Sequence, residues 1–294
     1  MTIQNNNQVI ANADLSITVK AHGAELSSIQ HNGTEYLWQA DPAFWKRHSP
    51  VLFPIVGSVW NGTFRVDGME YQLSQHGFAR DMDFTLISAT QDEVWYQLKS
   101  NEETLKKYPY SFDLNIGYKI EGKKIHVMWR VSNPGHSILD FQIGAHPAFY
   151  YRCNADSQTK GYFLLEGKKE LQTIRIVEKG CADTVQHYPL YTDAEGLLPI
   201  DKDTFIYDAL ILEDSQLKAV TLLDSQKSPY LKLTFDTPVV GLWAPSPQSP
   251  FVCIEPWYGR CDRAHFDGEY KDKDWMQHLA SGATFEGGYT IEII

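Results

Sequence analysis

Residues 114–131 read LNIGYKIEGKKIHVMWRV, and two runs of alternating apolar and polar residues, Leu114 to Ile120 and Ile125 to Val131, flank the pair Glu121-Gly122. Alternation with a period of two is typical of a strand with one buried face. A glycine in the connection supplies the positive φ that a tight hairpin requires. This stretch therefore predicts two antiparallel strands joined by a short turn.

The same pattern extends outward from this hairpin in both directions. Similar alternation predicts strands at Leu15 to Val19 and Val94 to Leu98. Further strands are predicted at Gly161 to Leu165, Phe205 to Leu212, Ala219 to Leu223, Tyr230 to Phe235, Phe251 to Ile254 and Tyr289 to Ile293. Further tight turns are predicted at Asn32-Gly33, Asn61-Gly62, Asp67-Gly68 and Asp267-Gly268.

Helical periodicity is confined to two short pieces, Glu102 to Lys107 and Asp272 to Leu279. The alternation of strands and helices that accompanies a parallel sheet is therefore missing. No change of composition marks a linker. We predict an all-β protein, a large antiparallel β-sandwich, with residues 1–294 as a single domain.

Composition and charge narrow the possible partners. The 294 residues are 43% hydrophobic and 13% aromatic, which is enough for a large core, and the net charge is -11. Such a field repels phosphate backbones and anionic membranes, so we expect no nucleic-acid or membrane partner. The N-terminal stretch MTIQNNNQVI has neither the basic start nor the apolar run of a secretion signal. We expect a cytoplasmic protein, either a monomer or a homodimer.

The four cysteines favour neither a disulfide framework nor a metal site. Cys153, Cys181, Cys253 and Cys261 form no CxxC pair. Cys253, Cys261 and His265 could be read as part of a metal site, but no fourth ligand stands at zinc-like spacing. GxGxxG, P-loop and HExxH motifs are also missing. We expect no metal and no cofactor.

Three segments place a titratable residue among glycine, proline and aromatic residues at a predicted strand end. They are His76-Gly77-Phe78-Ala79-Arg80, Gly144-Ala145-His146-Pro147-Ala148-Phe149 and Ile254-Glu255-Pro256-Trp257-Tyr258-Gly259-Arg260. Taken singly, His76 could be a hydrogen-bonded turn residue, and His146 before proline could hold an extended loop.

Two carboxylates are further candidates. Glu255 follows an apolar strand and precedes Trp257, so we expect it to be partly buried. Burial raises the pKa of a carboxylate, which suits a general base. Asp208 stands before the apolar run Ala209 to Leu212 and could equally cap a turn.

Taken in order, these segments resemble the aldose 1-epimerase (mutarotase) family, and within it the LacX-like branch of the galactose mutarotase-like superfamily. Upstream, the resemblance includes Trp45-Lys46-Arg47-His48-Ser49-Pro50, Leu52-Phe53-Pro54 and Gly57. It spans nearly the whole chain, and it implies a β-supersandwich whose histidines and carboxylates gather over one concave sheet.

The resemblance also implies an activity and assigns roles. His146 resembles the general acid that protonates the ring oxygen, and Glu255 the general base that takes the anomeric hydroxyl proton. His76 and Asp208 resemble residues that hold and polarise the sugar. Asp201, Asp203 and Asp214 lie nearby, and Asp208 is distinguished from them by its position before an apolar strand. The implied reaction is the interconversion of α and β hexose anomers.

Other side chains suit a sugar ligand on chemical grounds. Sugar sites combine hydrogen-bonding groups with an aromatic platform, for which Phe149 and Trp243 are candidates, while Trp257 is better explained by core packing. Arg47 and Arg80 could bind hydroxyls or the phosphate of a hexose 6-phosphate. Either arginine could instead pair with Asp81 or Asp83.

Two other functions stay open on the sequence alone. One is a carbohydrate-binding protein of the same fold without turnover, although a pure binder would need no acid and base together. The other is a glycoside hydrolase or lyase that uses Asp208 and Glu255 as its carboxylate pair. The ordered set of His146 and Glu255 segments favours the mutarotase over both.

Overall fold

The computed structural model describes residues 7–153 and 159–294. Residues 1–6, on which the expectation about a secretion signal partly rests, lie outside these ranges. No helix in the described ranges is long and apolar enough to span a membrane.

Strands dominate the described residues, and the one α-helix there is α1 (Glu102–Lys107), at a position predicted to be helical. Strands of the first half are β1 (Gln8–Ala11), β2 (Ser16–Val19), β3 (Leu26–His31), β4 (Thr34–Glu35), β5 (Val51–Leu52), β6 (Thr63–Val66), β7 (Met69–Gln72), β8 (Thr85–Ala89), β9 (Glu93–Lys99), β10 (Asp113–Glu121), β11 (Lys124–Ser132), β12 (Leu139–Phe141), β13 (Ile143–Ala145) and β14 (Ala148–Tyr150). Those of the second half are β15 (Tyr162–Gly167), β16 (Leu171–Glu178), β17 (Cys181–Leu190), β18 (Leu197–Pro199), β19 (Leu210–Leu212), β20 (Leu217–Leu223), β21 (Pro229–Phe235), β22 (Val239–Trp243), β23 (Phe251–Tyr258), β24 (Gln277–Leu279) and β25 (Thr284–Ile293). Short 3-10 turns occupy Trp60–Gly62, Ala79–Asp81 and Tyr270–Asp272.

Two large antiparallel sheets form the sandwich. One has nine strands in the order β18-β15-β20-β21-β25-β11-β10-β9-β8. The other has eight, in the order β17-β16-β19-β22-β23-β13-β5, with β14 also paired to β23. Smaller sheets are β1-β2-β3-β4, β12-β24 and β6-β7. The all-β antiparallel prediction is confirmed.

The predicted central hairpin forms as expected. Strands β10 and β11 pair in register, with Leu114 opposite Val131 and Ile120 opposite Ile125. Their inward side chains join a single large apolar core with those of the eight-stranded sheet, including Val252 and Ile254 of β23. The core between the two sheets is therefore built from the alternation seen in the sequence.

Strand β23 is the element that positions the site, because it is buried on both faces. Val252 and Ile254 enter the core between the sheets. Cys253, Glu255 and Trp257 alternate with them and face the other side of the sheet. A carboxylate is thus placed on the outer face of a strand that is buried throughout most of its length.

Several local predictions are wrong. The segment Asp272 to Leu279 is not a helix: it contains the end of a 3-10 turn and strand β24, and Trp275 has a positive φ of 61° that interrupts helical geometry. The strand predicted from Phe205 begins only at Leu210, because 202–208 form successive turns. Asp267-Gly268 closes no hairpin, and the residue with left-handed geometry in that loop is His265, with φ 64°.

Candidate active site

A cavity of about 630 Å³ lies over the outer face of the eight-stranded sheet. Seven of the eight side chains predicted for the site line it: Arg47, His76, Arg80, His146, Asp208, Trp243 and Glu255. The exception is Phe149, which is fully buried in the core between the sheets and is not among the lining residues. Its place opposite Val252 in the β14–β23 pairing accounts for that burial.

Glu255 forms the floor of the cavity and is 1% exposed. Its burial raises the pKa of the carboxyl group well above the ordinary value of 4.5, and the negative charge of Asp208 raises it further. The Trp257 side chain opposes this shift. No cation offsets the burial among these causes, so the neutral carboxylic acid is favoured more strongly at Glu255 than at an exposed glutamate.

His146 lies in the short connection between β13 and β14. Its backbone N–H donates to the Pro50 carbonyl over 3.1 Å, which fixes the loop beside β5. The imidazole Nε2 is 3.3 Å from Glu255 Oε2. Trp45 stacks on the ring at a centroid distance of 4.7 Å, and Trp243 meets it edge-on at 5.4 Å.

The same environment keeps His146 neutral. Burial, together with the positive charges of Arg80 and Arg47, lowers the pKa of its imidazole from 6.5 to about 3, although a backbone hydrogen bond opposes them. Burial therefore favours the neutral form of each of the two side chains, which are in contact. Transfer of the carboxyl proton of Glu255 to the imidazole of His146 would give an imidazolium–carboxylate pair with the same total charge.

His76 is held in one tautomer by the backbone. The Gly57 N–H donates to His76 Nδ1 over 3.0 Å, so Nδ1 is the acceptor and the ring proton resides on Nε2. His76 itself has a φ of 66°. A Cβ on the following Gly77 would lie 2.3 Å from the Phe53 carbonyl oxygen, so only glycine fits there. The turn thus supplies a neutral N–H donor beside His146, with ring centroids 5.5 Å apart.

Arg47 and Arg80 share a single carboxylate. Arg47 Nη2 lies 2.8 Å from Asp81 Oδ1, and Arg80 Nε lies 3.8 Å from Asp81 Oδ2. Arg80 also donates to the Gln75 carbonyl over 2.7 Å. Arg47 and Arg80 therefore pair with Asp81 and also line the cavity. Asp83, the other predicted partner, pairs with His22.

Asp208 lies at the exposed rim of the cavity. It has a φ of 69°, and its Oδ1 accepts a hydrogen bond from the next backbone N–H, that of Ala209. Beside it, Tyr207 covers the Arg175 guanidinium, which is stacked between Tyr207 and Tyr188 at 3.6 Å from each ring centroid. Asp208 therefore both closes a turn and lines the cavity, so its two predicted roles are compatible.

Comparison with known proteins agrees with this arrangement. Residues 7–291 match the aldose 1-epimerase family. The chain belongs to that family. The chromosomal and plasmid LacX proteins of Lactococcus lactis subsp. lactis are each 31% identical to it over 295 residues, which cover 97% of this chain and 98% of each relative.

Solved structures of similar proteins have the same fold. A galactose mutarotase related enzyme from Lactobacillus acidophilus superposes with a TM-score of 0.91 at 31% identity, covering 98% of this chain and 97% of its own. A galactose mutarotase-like protein from Lactobacillus casei ATCC 334 gives 0.92 at 28% identity, covering 98% and 100%. The fold is therefore the galactose mutarotase-like sandwich.

For this aldose 1-epimerase family member, sequence reasoning missed two contributors to the site. Trp45, which stands next to the predicted Arg47, covers one face of His146. The Oε1 atom of Glu25 accepts the backbone N–H groups of His48 and Ser49 over 2.9 and 3.1 Å. These hydrogen bonds anchor the segment that carries Trp45 and Arg47. Trp257, assigned to packing, both packs and lines the cavity.

Proposed function

We propose that this chain is an aldose 1-epimerase that interconverts the α and β anomers of a hexose by opening and closing the sugar ring at His146 and Glu255. The observation that carries the proposal is the 3.3 Å contact between His146 Nε2 and Glu255 Oε2 on the cavity wall. The family to which the chain belongs supports it.

Opening a cyclic hemiacetal requires two proton movements. One proton reaches the ring oxygen while another leaves the anomeric hydroxyl, so an acid and a base must both reach the sugar. Rotation about the first carbon–carbon bond then presents the other face of the carbonyl group. The same pair, with its protonation exchanged, closes the ring.

The pair can supply both steps because it holds one transferable proton. His146 as acid and Glu255 as base require the imidazolium–carboxylate form, whereas burial favours the neutral form of each side chain. One proton transferred from the Glu255 carboxyl group to His146 Nε2 converts the neutral form into the ion pair without a change in total charge, once the two atoms, 3.3 Å apart, align for a hydrogen bond. Opening from the ion-pair form leaves the neutral form, which is the form that closes the ring.

The remaining side chains fit the holding of a sugar. His76 Nε2–H is a donor of fixed tautomer, and Asp208 is an acceptor at the rim. Trp243 offers an indole that the sugar's C–H face could cover. We place this activity in the cytoplasm, in a monomer or homodimer, since the four cysteines are free as in a reducing compartment.

The test is anomer exchange measured by NMR on equilibrated glucose and galactose. Wild type is expected to exceed the buffer rate, and His146→Ala and Glu255→Ala should each lose that acceleration. Glu286→Gln, at an exposed carboxylate far along the chain, is the matched control. Binding without acceleration would favour the carbohydrate-binding protein, and release of reducing sugar from an oligosaccharide would favour a hydrolase.

A hexose 6-phosphate is the second candidate substrate. Arg47 and Arg80 bring two positive charges to the cavity against the one carboxylate of Asp81. If a phosphate binds there, Arg47→Gln and Arg80→Gln will reduce kcat/KM for glucose 6-phosphate by more than tenfold, and that for glucose only slightly. Equal losses on both sugars would exclude a phosphate site at these arginines.

A further inference from the structure

Cys253 adds a thiol to the two groups already described. It lies two residues before Glu255 on β23, so both side chains are on the same face of the strand. One ligand atom from each of His146, Cys253 and Glu255 lies within 4.8 Å of the other two, and all three residues are buried. Nothing in the proposed reaction uses this thiol.

Two polar atoms of the trio have no hydrogen-bond partner within the described part of the chain. Glu255 Oε2 touches His146 Nε2 at 3.3 Å without hydrogen-bond geometry, and His146 Nδ1 is likewise unpartnered. Buried polar atoms are usually satisfied, because each unsatisfied one costs about 1–3 kcal/mol. A metal ion bound to His146 Nε2 would satisfy Glu255 Oε2, whereas His146 Nδ1 would keep the ring proton and stay outside the coordination sphere.

The donor set is specific for one class of cation. A thiolate, an imidazole and a carboxylate are zinc ligands, and three protein ligands leave a fourth tetrahedral position open. Bond lengths of about 2.0–2.3 Å put neighbouring ligand atoms about 3.3–3.8 Å apart. His146 and Glu255 are already at that separation, and Cys253 would need to move by about 1 Å at most. Mg²⁺ does not prefer sulfur ligands.

We propose that a thiophilic divalent cation such as Zn²⁺ binds reversibly to His146, Cys253 and Glu255 and occupies the pair that would transfer protons. The cation is thus an inhibitor of the site and not a cofactor. Its binding rests on the three side chains alone, whereas inhibition of anomer exchange also rests on the proposed function.

The charge balance favours such a complex in a buried site. The Cys253 S–H bond breaks and an S–Zn bond forms, the Glu255 carboxyl group loses its proton, and neutral His146 donates a ring nitrogen lone pair. Both protons pass to solvent. Two anions and one divalent cation sum to zero, so no net charge is buried. The affinity should rise by up to about a hundredfold per pH unit while both protons are released.

The alternative is that Cys253 is only a small apolar side chain. It packs in a cluster with Trp38, Ala148 and Phe251, which is a common role for a buried cysteine. A packing residue and a metal ligand differ in one observable, the sulfur-to-metal charge-transfer absorption of a bound Co²⁺ ion. This absorption therefore decides whether Cys253 is a packing residue or a metal ligand.

The experiment is a Co²⁺ titration of the whole protein, followed by displacement with Zn²⁺, in a Cys153→Ser background that removes the exposed thiol. We expect one near-ultraviolet thiolate band per chain, which Zn²⁺ removes and excess Mg²⁺ does not. Cys253→Ala should abolish the band and weaken Zn²⁺ binding at least about tenfold. Cys261→Ala, at another buried cysteine that lines the cavity, should keep both.

Two results would overturn the site. One is a band that survives Cys253→Ala, and the other is a wild type that shows no band. Cys253→Ser provides a second variant if alanine disturbs folding, which circular dichroism checks. Glu255→Gln, which keeps the thiol, should also weaken Zn²⁺ binding. All these readouts are independent of turnover, so they hold even if anomer exchange is not the function.

Discussion

Two buried clusters of titratable side chains lie within a few residues of each other, at the two ends of the segment 255–262, and they are built in opposite ways. Burial is the largest influence on the pKa values of Glu255 and His146, and it favours the neutral form of both. Downstream, Arg260 is buried but pairs with Glu213 and Asp274 at 2.6 Å each. One cluster lacks compensating charges, and the other is fully paired.

The physical difference is visible in the pKa of each group. Burial alone would lower the pKa of Arg260, but Glu213 and Asp274 raise it above its ordinary value. Lys273 and Asp262 add a second buried pair at 2.6 Å. Paired charges fix backbone segments against one another, whereas His146 and Glu255 keep a proton that can move. The comparison therefore separates groups that stabilise the fold from groups suited to chemistry.

The largest effect is expected when the neutral pair is broken. Glu255→Gln keeps the shape of the protonated carboxyl group but cannot transfer its proton, so anomer exchange should fall by about 10²–10⁴-fold. The melting temperature should stay the same or rise, since an amide carries no charge to bury. NMR exchange and thermal unfolding measure the two quantities. A large fall in the melting temperature with activity retained would contradict the comparison.

Breaking the paired cluster should have the reverse outcome. Lys273→Met leaves Asp262 buried without its cation, which we expect to lower the free energy of unfolding by about 3–5 kcal/mol. Activity per folded molecule should change little. Urea denaturation measures the loss, and the double variant with Asp262→Asn should recover much of it. No loss in the single variant would mean that this pairing does not stabilise the fold.

The sequence predicted those parts of the molecule that depend on local pattern. The hairpin of β10 and β11 is recognisable because alternation and a glycine turn lie within a few residues. His76, His146 and Glu255 were recognisable because each stands among glycine, proline or aromatic residues at a strand end. The structure brings all three to one cavity.

Features that depend on contacts between distant segments were not predictable in this way. The segment 272–279 reads as a helix, but Lys273 and Asp274 pair with Asp262 and Arg260, and the backbone of Lys273 is extended, with ψ 142°. The stacking of Trp45 on His146 joins residues about a hundred positions apart. Such contacts leave no periodic pattern in the sequence.

A smaller effect is expected in the pH dependence of stability. In the unfolded chain His146 binds a proton below about pH 6.5, whereas in the folded chain it does so only below about pH 3. Between these two values the unfolded state binds more protons, so His146 makes the free energy of unfolding rise with pH. His76 acts with the same sign. Glu255 acts oppositely, because the folded state keeps its proton above pH 4.5, where the unfolded state loses it.

Above pH 6.5 the histidine contributions are complete and that of Glu255 remains. Stability from this residue should then fall by about 1.4 kcal/mol per pH unit until its folded pKa is reached. Measured from pH 4.5 upward, the urea midpoint of wild type should fall relative to that of Glu255→Gln, because the histidine contributions are the same in both proteins. Identical profiles in the two proteins would mean that Glu255 is ionised in the folded state.

The smallest effect tests whether burial, and not pairing as such, makes the second cluster stabilising. Arg130 and Glu286 form an ion pair at 2.8 Å between β11 and β25, but both side chains are more than half exposed. Water already solvates each charge there, so Glu286→Gln should change the free energy of unfolding by less than about 1 kcal/mol. Urea denaturation alongside Lys273→Met supplies the contrast. If both variants lose the same free energy of unfolding, burial does not decide how much an ion pair stabilises this fold.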